Sequence, residues 1–299
     1  MARALLITGA AGFVGQRLAH AAADHGWQVI GLDRSTGEQA GTVGSAFADF
    51  WQCDLLDEPA LSGLSKRCAF DAIVHLAGVL PGRATRGEMF AVNTGGTSAV
   101  LEHFGRPGCH VVFFSTGLVY GEHPAPFHEG LECFPAEPYA QSKRAAELLV
   151  SDWARRTGSP AAIMRPSVLY GVGAPAGMLL ISLLSTLRKK QPFEMTAGEQ
   201  LRDFLHVDDA VRAVVCTLDQ RASGTWNLAH GTSHSVKEAA ELGAAIAHGG
   251  NLLRVGALPY REQELFDYRL DSHALQQAIN WKPQISLAAG LESLWKEIQ

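Results

Sequence analysis

The sequence predicts an α/β protein: a doubly wound parallel sheet followed by a smaller mixed α+β lobe. Three observations predict it. A glycine-rich turn, Thr8-Gly9-Ala10-Ala11-Gly12-Phe13-Val14-Gly15, stands between an apolar run and a helical pattern near the N-terminus. Apolar runs then recur at 4–7, 29–32, 72–76, 111–114 and 161–164, separated by stretches of helical length such as 88–104 and 139–156. The runs are continuous rather than alternating, as strands buried on both faces of a parallel sheet require. Beyond residue 170 this alternation gives way to a mixed pattern.

Taken in order, the first strand, 4–7, runs straight into the glycine turn. Gly9, Gly12 and Gly15 have the GxxGxxG spacing of a dinucleotide loop. One glycine makes the tight turn, one lets the backbone approach a pyrophosphate, and one lets the helix pack against the strand. Phe13 and Val14 then begin a helix whose free N–H groups suit phosphate. The second strand, 29–32, ends at Asp33, where a carboxylate can hold the adenosine ribose hydroxyls and so favour NAD. Arg34 follows and keeps NADP open, since an Arg there can accommodate a 2′-phosphate.

A short run at 50–53 leads to Asp54 and Leu55, placed to touch adenine. The next strand ends at His75-Leu76-Ala77-Gly78, with small residues where a cofactor would pass closely. Ser115-Thr116 ends the fifth strand and Pro166-Ser167-Val168 the sixth. Right-handed crossovers place these ends along one sheet edge. The expected division is a Rossmann-type domain over 1–170, with 200–220 returning to it, and a substrate lobe over 171–299. The lobe's expected elements are helices at 178–187, 208–218, 236–247, 271–279 and 286–298, and strands at 202–207 and 224–228. A substrate cleft is expected between the two parts.

Composition narrows the class. The chain has 299 residues, 47% hydrophobic and 18% charged, with a formal charge of −5. That leaves no basic footprint for nucleic acid. No apolar run reaches the length of a membrane span. The first strand follows the initiator Met almost directly, so no signal peptide is expected, and the expected location is cytoplasmic. Five widely spaced cysteines read as reduced thiols. His230 and His234 flank a loop-like Gly-Thr-Ser, and no metal is expected there.

Tyr139 and Lys143 stand four apart in a helix-compatible segment, on one face. A nearby ammonium favours the phenolate and is expected to lower the Tyr pKa. Such a Tyr can exchange a proton with a carbinol or carbonyl oxygen while a hydride moves.

TGAAGFVG, Asp33, HLAG at 75–78, VNTGGT around Asn93, STGLVYG at 115–121, PYAQSK at 138–143, RPSVLYG at 165–171, RDFLHVDD at 202–209 and WKP at 281–283 together resemble the extended short-chain dehydrogenase/reductases. Within these the chain is similar to the NAD-dependent epimerase/dehydratase family of nucleotide-sugar enzymes, almost end to end. The resemblance implies that Thr116 is the catalytic hydroxyl, four residues before the Tyr of its motif. It implies Tyr139 as acid/base and Lys143 as the residue that binds the nicotinamide ribose and tunes Tyr139. Leu76, Ala77, Gly78, Asn93, Pro166 and Val168 fall on its cofactor-binding positions, and Val79, Thr116 and Tyr139 on its substrate side. Arg202 matches the Arg that grips the substrate diphosphate, and Arg261, in LPYREQE, resembles a second one. The family's dimers pair through a four-helix bundle, which here would use 88–104 and 139–156, with Leu148, Leu149 and Trp153 as apolar surface.

Departures from the family patterns bear on the reaction. Dehydratases carry Asp-Glu after the catalytic Thr; here Gly117-Leu118 stand there. The Glu of the decarboxylases and the Cys of the GDP-fucose-synthase type are absent from this stretch. Val168 replaces the Asn of RPxNVYG, and RPSVLYG looks closer to the RTSWVYG of deoxysugar reductases. The leading expectation is a reductase of a nucleotide-linked 4-keto-6-deoxyhexose, or the reverse dehydrogenase. The alternatives are a UDP-hexose 4-epimerase with tightly held NAD and a redox-sensing protein without catalysis.

Overall fold

The computed structural model describes residues 3–36, 46–262 and 264–298. Its elements are, in order, β1 (Arg3–Thr8), α1 (Phe13–Asp24), β2 (Trp27–Asp33), β3 (Asp49–Gln52), α2 (Glu58–Leu64) and β4 (Ala72–His75). A helix then runs from Arg86 in three pieces: α3 (Arg86–Met89), a π turn over Phe90–Gly95, and α4 (Gly96–Phe104). β5 (His110–Phe114), a short turn over Gly117–Tyr120, α5 (Pro138–Thr157) and β6 (Ala161–Pro166) follow. The remainder is β7 (Val168–Tyr170), α6 (Leu179–Arg188), β8 (Phe193–Glu194), β9 (Leu201–His206), α7 (Val207–Gln220), β10 (Gly224–Leu228), β11 (Ser233–Ser235), α8 (Val236–Ile246), β12 (Leu253–Arg254), β13 (Asp267–Tyr268), α9 (His273–Ala278) and α10 (Leu287–Glu297).

Seven strands form one sheet in the order β10-β6-β5-β4-β1-β2-β3. From β3 across to β6 every pairing is parallel, with Leu5 opposite Val29 on one side and Ala72 on the other. This is the doubly wound, Rossmann-type sheet that the sequence predicts. The chain steps outward from β1 in one direction and from β4 in the other. Their adjoining C-terminal ends are therefore the switch point where ligands bind in such sheets. The reason these segments are strands is visible in the core. Leu6, Ile30, Leu32, Ile73, Val111, Phe113 and Ile163 are buried against Val100, Phe104, Val150 and Trp153 of the helices. Each such side chain contributes about 1.5–3 kcal/mol by leaving water.

The chain divides into two compact units: 1–121, 129–166 and 211–226 in the first, and 122–128, 167–210 and 227–299 in the second. The expected return of 200–220 to the first domain takes a different form here. Only Val211–Trp226 belongs with the first unit, because β9 is the central strand of the second unit's own sheet. That sheet pairs β9 with β7 and β13 in parallel and with β11 antiparallel. Tyr170, Leu180, Leu184, Phe204, Leu287, Leu291 and Leu294 fill its core. Asp203 is buried there and accepts hydrogen bonds from Ser167 Oγ, His230 N and Gly231 N, so an acid in mid-strand pins two loops.

Two readings of helix surfaces need correction. Trp153 is buried in the core and Leu149 packs against it, so of the three residues assigned to an apolar outer face only Leu148, at 55% exposure, is open. The helix read over 88–104 is also not a uniform α-helix, because the π turn adds a residue around Asn93. The five cysteines are free thiols. Among the described residues no helix is long and apolar enough to cross a membrane.

Candidate active site

The glycine turn leaves β1 with Gly9 at φ 70°, a conformation that favours glycine. Gly9 N and Ala10 N both donate to Leu32 O, at 2.9 and 3.3 Å, which ties the turn to β2. A Cβ on Gly9 would lie 2.7 Å from Ala77 N, and one on Gly15 would overlap Gly9 O. Helix α1 starts after Gly12 with no side-chain cap, so the N–H groups of its first turn, Phe13 and Val14 among them, are left for a ligand.

In front of this turn lies a cavity of about 350 Å³. It is lined by the predicted Gly9, Gly12, Asp33, Arg34, Asp54, Leu55, Leu76, Ala77, Gly78 and Val79, and also by Cys53, Arg83 and Val92. Asp33 is fixed by Ala11 N on Oδ2 at 3.1 Å and Ser35 N on Oδ1 at 2.9 Å. Arg34 is exposed. The donor set and the glycine cradle fit a dinucleotide: N–H groups and a helix start for phosphate, a carboxylate for ribose hydroxyls, small residues where its rings pass.

Helix α5 begins with Pro138, whose fixed φ suits that position, and so sets Tyr139 and Lys143 in its first two turns. Lys143 is 3% exposed, and its Nζ stands 4.4 Å from the Phe113 ring centroid. Burial pulls its pKa down to about 8, while Glu147 one turn on pulls it back up. Tyr139 departs from the sequence expectation. Burial pushes its hydroxyl up to about 12, so in this structure the phenol holds its proton more firmly, not less. The physical reason is that desolvation by the surrounding packing penalises the charged phenolate. Thr116 is buried at the end of β5, where its Oγ1 accepts from Leu118 N at 3.3 Å, and Ser115 Oγ beside it has no hydrogen-bond partner among the described residues.

Asn93 is 1% exposed and its amide is fully spent. Oδ1 accepts from Val79 N at 2.8 Å, and Nδ2 donates to Val79 O and Ser142 Oγ at 3.2 and 3.0 Å. It therefore holds the segment that lines the cavity and ties it to α5. Sequence reasoning also passed over a buried charge cluster behind that helix. Arg165 on β6 meets Glu147 through two bonds of 2.9 and 2.7 Å, and Arg144 adds a third at 2.8 Å. The Arg165 guanidinium lies 4.8 Å from the Tyr120 ring centroid. An Arg closing an apolar strand, and a Glu one turn after the Lys, were the available signals.

In the second unit Val168 pairs with Phe204 in the sheet. The Arg202 fork is taken up by Glu264 Oε1 at 2.7 Å and by Leu201 O at 2.9 Å. Arg261 is exposed and makes no side-chain hydrogen bond or ion pair among the described residues. Among the described residues the two guanidiniums thus share no partner.

A family model described as "NAD dependent epimerase/dehydratase family" matches residues 5–229. The chain is 30% identical to UDP-glucose 4-epimerase of Mycolicibacterium smegmatis over 307 residues, 96% of this chain and 95% of that protein. It is 30% identical to GDP-6-deoxy-D-mannose reductase of Pseudomonas aeruginosa over 313 residues, 98% of this chain and 96% of that protein. The fold is like that of UDP-glucuronic acid 4-epimerase from Bacillus cereus, solved with UDP-glucuronic acid and NAD. The TM-score is 0.88 at 24% identity, covering 99% of this chain and 98% of that one.

Proposed function

The chain belongs to the NAD-dependent epimerase/dehydratase family, and from that premise we propose that it is an NAD-dependent enzyme acting on a nucleotide-linked sugar, reducing the 4-keto group of a 4-keto-6-deoxyhexose. NAD, when bound, supplies the hydride donor or acceptor. The rest falls to the chain's own residues. Gly9, Gly12, Phe13, Val14 and Gly15 hold its pyrophosphate, Asp33 its adenosine ribose, Asp54 and Leu55 its adenine, and Lys143 the other ribose. Leu76, Ala77, Gly78, Pro166 and Val168 complete the cofactor side. Tyr139 delivers its proton to the sugar oxygen, and Thr116 hydrogen-bonds that oxygen as charge develops on it. Lys143 carries the compensating positive charge. Val79, Arg202 and Arg261 serve the substrate, the two arginines as planar donors to its diphosphate. Arg202 must then exchange Glu264 for phosphate.

The observation that carries the reductive reading is the 30% identity to a GDP-6-deoxy-D-mannose reductase over 98% of this chain. Tyr139, whose hydroxyl burial keeps protonated, supplies the proton that carbonyl reduction needs. Gly117 and Leu118 beside Thr116 offer no second acid or base for removing water. A second reading, 4-epimerisation, has its own support in the 30% identity to a UDP-glucose 4-epimerase across nearly the whole chain. The two separate cleanly. With a panel of nucleotide-linked 4-keto-6-deoxyhexoses, the reductase oxidises one NADH per sugar, read as loss of absorbance. An epimerase instead comes through purification with NAD bound and interconverts UDP-hexoses with no net absorbance change, and that outcome would overturn the reductase.

A further inference from the structure

The end of β4 carries a buried histidine that this chemistry leaves idle. His75 is 2% exposed and both ring nitrogens are engaged, Nδ1 at 2.6 Å from Thr8 Oγ1 and Nε2 at 3.0 Å from Thr97 Oγ1. Counting protons fixes the direction of both bonds. Thr97 has one hydroxyl proton and gives it to Asn93 O, 2.6 Å away. Its oxygen can therefore only accept from the ring, which puts the histidine proton on Nε2. Nδ1 then accepts, and the Thr8 hydroxyl donates to it. Thr8 Oγ1 in turn accepts from Ala77 N at 3.4 Å.

The chain of bonds continues past Asn93. Its Nδ2 reaches Ser142 Oγ, and the Ser142 hydroxyl donates to Tyr139 O at 2.7 Å. Thr94 Oγ1 adds a donor to Ser142 O at 2.9 Å. One directional path thus runs from Thr8, the residue before the glycine turn, to the backbone of Tyr139. Phe113 packs against both ends of the matter: its ring stacks on His75 at 5.6 Å and carries the Lys143 ammonium at 4.4 Å.

We infer that His75 is a positioning residue, which in its neutral Nε2–H form locks the cofactor turn, the 76–79 segment and the Tyr139–Lys143 helix into one register. The inference rests on Tyr139 and Lys143 being the reacting pair. Its logic is that a buried polar path is worth most when every member is satisfied. A protonated ring would leave the Thr8 hydroxyl facing a second donor. The threonine hydroxyls around the ring do not titrate. Lys143 on α5 is the charged group that acts on His75, and together with burial it pulls the imidazole down to about 3.

Nitrogen-15 NMR of the histidine side chains in the unaltered protein tests this directly, with the His75 signal assigned by its loss in His75→Gln. The Nε2–H tautomer is expected to persist unchanged from pH 5 to pH 9. An Nδ1–H tautomer, or a ring that titrates within that range, overturns the inference. Kinetics give a second arm. Gln offers an N–H to Thr97 and a carbonyl to Thr8, whereas Leu offers neither. His75→Leu is expected to lose about ten- to a hundredfold in both kcat and NAD affinity, and His75→Gln to recover most of both. Equal losses in the two variants, or none in a folded His75→Leu protein, would also overturn it. Failure of the underlying reading looks different. Tyr139→Phe would then keep normal turnover, while any effect of His75→Leu would remain confined to NAD binding measured by calorimetry.

Discussion

Lys143 shows at the scale of one side chain how function and stability pull apart. Its ammonium is buried over Phe113 with no ion pair of its own among the described residues. The folded-state pKa, about 8, lies below the usual 10.5. Below pH 8 the group is charged both folded and unfolded, and the fold bears the cost of that buried charge. Between about 8 and 10.5 the unfolded chain binds the extra proton, so this group's penalty is relieved as pH rises. Lys143→Met is therefore expected to stabilise the protein at pH 7 by a few kcal/mol, taking ~1.4 kcal/mol per pH unit of displacement, while lowering turnover and NAD affinity. Denaturant unfolding at pH 7 and pH 10 checks the sign: the gain should shrink at the higher pH. Tyr139→Phe, which removes one oxygen and keeps the ring, is expected to cost ~10²–10⁴-fold in kcat with NAD binding retained.

At the scale of elements, α5 is held from behind as well as from the cofactor side. The Glu147–Arg165 pair is buried on both partners and doubly bonded, so it joins the helix to β6 in one orientation. Breaking such a pair from one side leaves a lone buried charge and costs about 3–5 kcal/mol, whereas replacing both partners by apolar groups is often near neutral. Glu147→Gln is expected to destabilise by that amount. It should also move Lys143 further below its usual range, because the charge that pulls it back up is gone. If kcat depends on the Lys143 ammonium, its alkaline limb shifts to lower pH in this variant. A double variant with Glu147→Met and Arg165→Met is expected to recover most of the stability. An unchanged unfolding midpoint in Glu147→Gln would show that the pair does not tie the helix.

For the molecule as a whole, the family resemblance leads us to expect a homodimer that pairs through the helices at Arg86–Phe104 and Pro138–Thr157. The exposed apolar contribution of α5 is Leu148, since Trp153 and Leu149 turn inward. Light scattering at micromolar concentration is expected to give twice the chain mass of 32.0 kDa, and Leu148→Asp to shift the distribution toward monomer. A monomeric unaltered protein would refute this assembly.

What the sequence determined by itself is what short range controls. The glycine spacing, the continuous apolar runs and the helix between Tyr139 and Lys143 are local patterns, and each returns as the turn, strands and helix observed. Asp33 and the residues around Leu76–Gly78 were legible for the same reason, since strand ends of a parallel sheet share one edge and these line one cavity. Tertiary structure alone decided the rest. Burial reversed the direction expected for Tyr139, because desolvation depends on everything packed around a group and not on the partner four residues away. Arg202 found Glu264, sixty-two residues on, and β9 took its place in a second sheet. His75, the Asn93–Thr97 turn and Ser142 came together from three separate segments. Contacts across such separations leave no period in the sequence, so only the packed chain discloses them.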